Sequence, residues 1–196
     1  MLAPVRLVLV GPPGSGKGTQ GPAIAKHLGV PYLSTGDILR AQVAAGTPLG
    51  LRVSELLDRG ELVPDDLMLA VVADALDGDT ATRGYVLDGF PRTLLQAEVI
   101  ESPASPVPAP DLAVHIAIPD DEVHARLEGR ARAEGRSDDA DPEVVDHRLR
   151  VYTEETEPLL DHYRDQGILV TVDGKRPPDE VTAAILDAIG SRTASD

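Results

Sequence analysis

The sequence has no cysteine and no tryptophan, one phenylalanine, four tyrosines and two methionines in 196 residues. Without cysteine there is no disulfide, no thiol nucleophile and no cysteine-ligated zinc, which fits a reducing compartment. With aromatics at 3%, the core has to be aliphatic. Long apolar runs are missing too. LVLV, Leu7 to Val10, is too short for a secretory signal or a membrane span, and Gly-Pro-Pro ends it. A cytoplasmic protein with no membrane partner is expected. Positive charge is also scarce: 18 Lys and Arg against 33 Asp and Glu leave a net charge of −15. Such a field repels nucleic acid and anionic lipid, so any anionic ligand must be drawn in by a local cluster of cations.

What is present reads as one α/β domain over residues 1–196. Apolar residues at 42% and charged residues at 26% are ordinary globular usage. Val5 to Val10 is a β-branched and leucine run closed by Gly and Pro, as expected of a strand buried on both faces of a parallel sheet. A helix over Lys17 to Leu28 follows. Further strands are expected at Pro31–Leu33, Tyr85–Leu87, Leu112–Ile118 and Ile168–Val172, alternating with helices. That makes a five-stranded parallel sheet flanked by helices.

Two intervals exceed a simple crossover. Residues 34–85 have room for helices at Asp37–Ala45, Leu49–Arg59 and Asp65–Leu76. Between Glu122 and Gly167 a helical pattern is broken by GRARAEGRSDDADP, rich in charge, Gly and Pro, which reads as a surface flap. SPASPVPAP, Ser102 to Pro110, reads as a linker, SRTASD as a frayed tail, and Pro158 as a kink in the helix from Glu143 to Gln166.

The chemistry begins at GPPGSGKGT, residues 11–19. A strand, then Gly-x-x-x-x-Gly-Lys, then a helix is a phosphate cradle. Gly11, Gly14 and Gly16 free the backbone to aim N–H groups at an anion, the helix start adds its positive end, and Lys17 supplies a point charge between terminal phosphates. The implied ligand is a nucleoside triphosphate. Gly18 stands where Ser or Thr usually follows the lysine, and Thr19 comes one residue later. Asp88, at the end of a strand, is placed to hold the water ligands of a metal, with Asp37 a weaker candidate. Arg92, just beyond, can clamp a phosphate with two parallel hydrogen bonds. Arg126, Arg130, Arg132, Arg136, Arg148 and Arg150 crowd into 25 residues of an acidic chain. Charge that spreads over a phosphoryl group in flight would account for them. Five scattered histidines and the pairs Asp138-Asp139 and Glu154-Glu155 read as ordinary surface or boundary groups.

GPPGSGKGTQ, YLSTGDILR, GELVPDD, LDGFPRTLLQAE and RLEGRARAEGR, in this order and spacing, resemble the adenylate kinase family from Val5 to about Ile189. The resemblance implies an AMP-binding insertion over residues 34–63 and a lid of the short type over 130–141. ATP would be held by Gly14, Ser15, Gly16, Lys17, Gly18 and Thr19, with Arg126 over the adenine, Arg130 on the phosphates and Arg176 contributing a backbone carbonyl. AMP would be held by Thr35, Arg40, the Glu61-Leu62-Val63 turn, Gly89, Phe90, Pro91, Arg92 and Gln96, with Arg136 reaching from the flap and Arg148 from the helix after it. Lys17, Arg92, Arg130, Arg136 and Arg148 become the catalytic set. Mg²⁺ would arrive with ATP and meet Asp88, and Asp37, through water.

The implied reaction is Mg·ATP + AMP to two ADP, by a monomer. The acceptor phosphate, with a second pKa of about 6 by analogy with phosphoserine, is already a nucleophile at neutral pH, so no general base is needed. Closure of lid and insertion to exclude water is a general property of adenylate kinases. A UMP/CMP kinase shares most of these arginines. A non-catalytic nucleotide switch would have no use for Arg40, Arg92, Arg136 and Arg148.

Overall fold

The computed structural model describes residues 5–76, 81 and 83–193. Five strands, β1 (Arg6–Val10), β2 (Tyr32–Ser34), β3 (Tyr85–Asp88), β4 (Leu112–Ala117) and β5 (Leu169–Asp173), form one sheet in the order β2-β3-β1-β4-β5. Every pairing is parallel. Parallel neighbours need crossovers, and helices supply them: α1 (Lys17–Leu28), α2 (Thr35–Ala44), α3 (Pro48–Arg59), α4 (Asp65–Ala75), α5 (Leu94–Glu101), α6 (Asp120–Glu134), α7 (Ser137–Ala140), α8 (Pro142–Val151), α9 (Pro158–Asp165) and α10 (Pro178–Thr193).

β1 explains the two-sided core. Leu7 and Leu9 face one cluster, with Ile24 of α1, Val114 and Ile116 of β4, and Val181 and Ile185 of α10. Val8 and Val10 face the other, with Leu87, Phe90, Ile100, Leu159 and Tyr163. Alternate residues of a strand point to opposite faces, so a run buried on both sides shows no polar alternation. A third, small cluster of Val123, Leu127 and Val145 fastens α6 to α8 and so carries the flap.

Three expectations change. SPASPVPAP is packed rather than a loose linker: Val107 is buried in the core and Tyr85 Oη donates to the Pro108 carbonyl at 2.6 Å. The apolar side chain and that one hydrogen bond anchor it. Ser191 to Thr193 complete α10 instead of fraying, and 194–196 lie outside the described residues. The break caused by Pro158 is a π-helical turn, Tyr152–Thr156, in which Glu157 N donates to the Tyr152 carbonyl at 2.8 Å. Proline has no N–H for the carbonyl four residues back, and the helix absorbs the mismatch by widening one turn before it.

Candidate active site

All five strands end on one edge of the sheet, and a cleft of about 650 Å³ opens there. It lies outside the carboxyl end of β1, where successive connections diverge to opposite sides, the usual place for a ligand in an open parallel sheet.

The loop from Gly11 to Gly16 turns directly into α1. Gly16 caps that helix with φ +101°, a left-handed conformation that a side chain would resist. Thr19 N and Gln20 N both donate to the Gly16 carbonyl at 2.9 Å. Lys17 Nζ bends back over the loop, donating to the carbonyls of Gly11 at 2.6 Å and Pro12 at 3.0 Å and to Ser15 Oγ at 3.3 Å. Burial lowers the Lys17 pKa to about 8; the Asp88 carboxylate opposes the fall, and Arg92, Arg130 and Arg148 add to it. A phosphate entering the loop would restore the missing negative charge.

Register sets the next residues. Asp88 stands opposite Leu9 of β1 on one side and Ser34 of β2 on the other. Its Oδ2 accepts from Tyr32 Oη at 2.9 Å, and its carbonyl accepts from Thr35 Oγ1 at 3.3 Å. Burial and the Asp88 charge raise the Tyr32 pKa, so the phenol stays a donor. Asp88 and Thr19 line the cleft as hard oxygen donors. Among the described residues no group of three or more His, Asp or Glu could cage a metal. Hard oxygen donors such as Asp88 and Thr19 suit Mg²⁺, which keeps most of its waters and is commonly carried by substrate phosphates. Asp37 also lines the cleft, but its carboxylate is largely exposed and paired with Arg40 at 2.5 Å.

On the α2–α4 side, Leu39, Leu57, Leu62, Val63 and Met68 give the cleft apolar walls, and Thr35, Arg40 and Glu61 line it as well. The Glu61 side chain turns to Arg59 Nε at 3.0 Å. Gly60 ends α3 at φ +72°, and a Cβ there would sit 2.4 Å from Arg148 Cγ, so this glycine makes room for the arginine. Beyond β3, the loop Gly89-Phe90-Pro91-Arg92 brings Arg92 into the cleft, its Nε donating to the Gly89 carbonyl at 2.9 Å. Among the described residues Arg92 pairs with no carboxylate. Thr156 Oγ1, turned inward by the π-helical turn, donates to the Arg92 carbonyl at 2.8 Å. The Phe90 side chain points into the core instead of the cleft.

Gln96 lines the cleft from a buried face of α5; the short helix presses that face onto α4 and α9. Its Oε1 accepts from Arg92 N at 2.7 Å and its Nε2 donates to Asp65 Oδ1 at 2.6 Å.

The flap and the helices flanking it, α6 and α8, bring Arg126, Arg130, Arg136 and Arg148 to the opposite wall. Asp138 and Asp139, expected to be solvated, are its anchor. The Asp139 side chain has no exposed surface; it takes Arg130 through two hydrogen bonds at 2.5 and 2.8 Å, Arg148 at 2.6 Å and Arg136 at 3.4 Å. Asp138 holds Arg136 at 2.8 Å and Arg148 at 3.0 Å. Burial opposes ionisation of both carboxyls, but hydrogen bonds and charge from the arginines outweigh it and keep both pKa values below the ordinary Asp range. Through-space pairing fills the flap where apolar side chains are lacking. Arg126 donates to Glu122 at 2.9 Å and to the Gly174 carbonyl at 2.8 Å. Arg132 is solvent-exposed on Glu128, and Arg176 is exposed near Asp173, outside the cleft.

Sequence reasoning passed over Asp139, Tyr32, Asp65 and Thr156. Tyr32 and Asp65 stand inside YLSTGDILR and GELVPDD without a role of their own, Asp139 lies among the arginines, and Thr156 carried no local signal.

A parallel sheet, a phosphate loop at its switch point and cations converging from both sides define the class, a P-loop phosphotransferase. A family model described as "Adenylate kinase" matches residues 9–168. An adenylate kinase of Thermobifida fusca (strain YX) is 45% identical over 96% of this chain and all of its own. One from Cyanothece sp. (strain PCC 7425 / ATCC 29141) is 46% identical over 92% of each. One from Xanthomonas euvesicatoria pv. vesicatoria (strain 85-10) is 44% identical over 95% of this chain and all of its own. The chain belongs to the adenylate kinase family, whose reaction is reversible phosphoryl transfer between ATP and AMP. Among the described residues no helix is long and apolar enough to cross a membrane.

Proposed function

We propose that this chain converts ATP and AMP into two ADP by direct in-line transfer, with the phosphate loop and flap holding ATP and the α2–α4 side holding AMP. One observation carries the reading: Lys17, Arg40, Arg92, Arg126, Arg130, Arg136 and Arg148, from widely separated segments, line a single cleft in a chain of net charge −15. Concentrated cations of this kind suit two polyanions that otherwise repel each other.

In this reading Gly14, Ser15, Gly16, Gly18 and Thr19 offer backbone N–H groups and a hydroxyl to the ATP phosphates, and Lys17 leaves its loop carbonyls for them. Arg40 and Arg92 hold the acceptor phosphate; Arg92 is the more readily engaged because no carboxylate among the described residues competes for it. Arg130, Arg136 and Arg148 surround the transferring group, exchanging part of their contact with Asp138 and Asp139 for phosphate oxygens. Asp88, and more weakly Asp37, would hold Mg²⁺ through its water ligands, and the ion would supply further neutralisation of phosphate charge. Leu62, Val63, Met68, Thr35 and Gln96 receive the acceptor's base. Residues 34–63 act as the AMP-binding insertion and 130–141 as the lid. Phe90 supports the loop from the core, and Arg176 contributes backbone only. The protein works as a cytoplasmic monomer without nucleic-acid or membrane partners, in keeping with its acidity.

The test is turnover of AMP, CMP, GMP and UMP with Mg·ATP, alongside Arg92→Ala. AMP should be preferred, and Arg92→Ala should lower kcat by about a hundredfold or more while ATP affinity stays near wild type. A UMP preference, or full turnover in Arg92→Ala, would overturn the assignment.

A further inference from the structure

We propose that Asp65 is a positioning residue that fixes the orientation of the Gln96 carboxamide and so makes the acceptor site select adenine-like over guanine-like base edges. The inference rests on Gln96 being the base contact and names what gives that contact its selectivity.

Gln96 is buried yet lines the cleft, whereas Asp65, the first residue of α4, does not reach the cleft and can act only through its neighbours. Asp65 Oδ1 accepts from Gln96 Nε2 at 2.6 Å and from Thr93 Oγ1 at 3.3 Å; Thr93 Oγ1 in turn accepts from Gln96 N at 3.2 Å. On the other side, Gln96 Oε1 accepts from Arg92 N at 2.7 Å. An ionised carboxylate only accepts and a backbone N–H only donates. Turning the amide over would set its oxygen against the carboxylate and its NH₂ against the N–H, two repulsive contacts in place of two hydrogen bonds. One orientation alone satisfies both flanks.

An amide has two N–H bonds and two carbonyl lone pairs, and each half spends one here. One lone pair on Oε1 and one N–H on Nε2 are left for a ligand. Adenine presents an amino donor beside a ring-nitrogen acceptor, and cytosine presents the same order. Guanine and uracil present a carbonyl acceptor beside a ring N–H donor, the reverse order. With the phosphate anchored at Arg40 and Arg92 the base enters in one register, so the locked amide matches the first pair and opposes the second. Separation of adenine from cytosine is left to the size of the apolar slot.

Asp65→Asn keeps the shape but can donate as well as accept, which removes one of the two constraints. The ratio of kcat/KM for AMP over GMP should fall about tenfold, with equilibrium binding of AMP and GMP by calorimetry shifting in the same sense, and UMP should gain on CMP. Asp65→Glu, which keeps an acceptor-only group, should hold the wild-type ratio. An unchanged ratio in Asp65→Asn, or an equal loss for all four monophosphates, would overturn the inference, since a merely structural aspartate lowers every substrate alike. Gln96→Leu run in parallel separates the two levels. If it collapses the AMP preference while Asp65→Asn does not, the positioning role fails and the base contact stands; if it leaves the preference intact, both fail.

Discussion

Neutralising Asp139 tests whether charge pairing in place of an apolar core holds the flap. Asp139→Asn keeps the volume and removes the one carboxylate among the described residues that touches Arg130, Arg136 and Arg148 together, at 2.5, 3.4 and 2.6 Å. Guanidinium groups drawn to a common carboxylate stand about 6 Å apart, and at an effective dielectric of about 20 each such pair repels by about 3 kcal/mol. Asp138 remains to offset part of this, and the arginines retain some contact with the cleft, so the net cost should be about 2 kcal/mol, below the 3–5 kcal/mol typical of breaking a fully buried pair. For a chain of this length that is a fall in Tm of about 4–8 °C. Scanning calorimetry at low salt should show it, and about 0.5 M salt should narrow the gap by screening the bared cations. Tripolyphosphate should raise Tm more in the variant than in the wild type, because the wild-type carboxylate competes for the same guanidiniums. A variant that melts within about a degree of wild type, indifferent to salt and polyphosphate, would refute the idea that Asp139 restrains mutual repulsion.

Lys17 gives a pH prediction of definite sign. Its folded pKa of about 8 lies below the ordinary value near 10.5, so above pH 8 the ligand-free folded state releases a proton that the unfolded chain keeps. Stability should therefore rise with pH from about 8, until deprotonation of the unfolded chain's tyrosines near pH 10 reverses the trend, the folded phenols of Tyr32, Tyr85, Tyr152 and Tyr163 all being raised mainly by burial. ATP affinity should move the opposite way, falling as Lys17 loses its charge. Calorimetry in buffers of different ionisation enthalpy should find proton uptake on ATP binding at pH 8.5 that Lys17→Arg abolishes; equal uptake in both would exclude Lys17 as the source. Gly60→Ala should lower stability by about 1–2 kcal/mol and reduce kcat together, because the new Cβ meets both a positive φ and the Arg148 stem; a loss of stability with unchanged turnover would mean that Arg148 placement is not critical.

The legible parts of the sequence are those whose cause is local. The phosphate loop needs only a strand, a glycine pattern and a helix in succession, and all three occur within about 25 residues. The inner strands β1, β3 and β4 were legible as apolar runs because a sheet covered on both faces leaves no polar alternation to confuse with a helix, while the edge strands β2 and β5, only partly buried, were legible from their place in the β-α alternation. Asp138 and Asp139 were illegible for the opposite reason. Their partners arrive from α6, the flap and α8, and in one dimension they belong to a stretch that differs little from a solvated acidic run. The burial of Gln96 was not legible, because it depends on which face of α5 meets α4 and α9, and eight residues are too few for a periodicity to decide that. Phe90 shows the limit of a motif: membership in LDGFPRT places its backbone at the site, but not its side chain, which the core claims.

The strand order itself accounts for two ligand regions meeting over one loop. β1 is central, so the phosphate loop that follows it lies at the middle of the carboxyl edge. Connections from β2 and β3, which carry Arg40, Asp65, Arg92 and Gln96, rise on one side of it. Those from β4 and β5, which carry Arg126, the flap and the Gly174 turn, rise on the other. In an antiparallel sheet of the same strands, alternate loops would emerge at opposite edges and half of these cations would be lost to the far side of the molecule. The parallel crossovers therefore do more than cover the sheet. They gather every strand-end segment onto one edge, where the arginines can face each other across a gap only anions can fill. Two carboxylates of the chain itself, Asp138 and Asp139, fill part of that gap on the flap side, while Arg92 on the other side pairs with none among the described residues. That asymmetry makes Arg92 the cleft arginine most open to an incoming phosphate, and it is why its removal should cost turnover rather than fold.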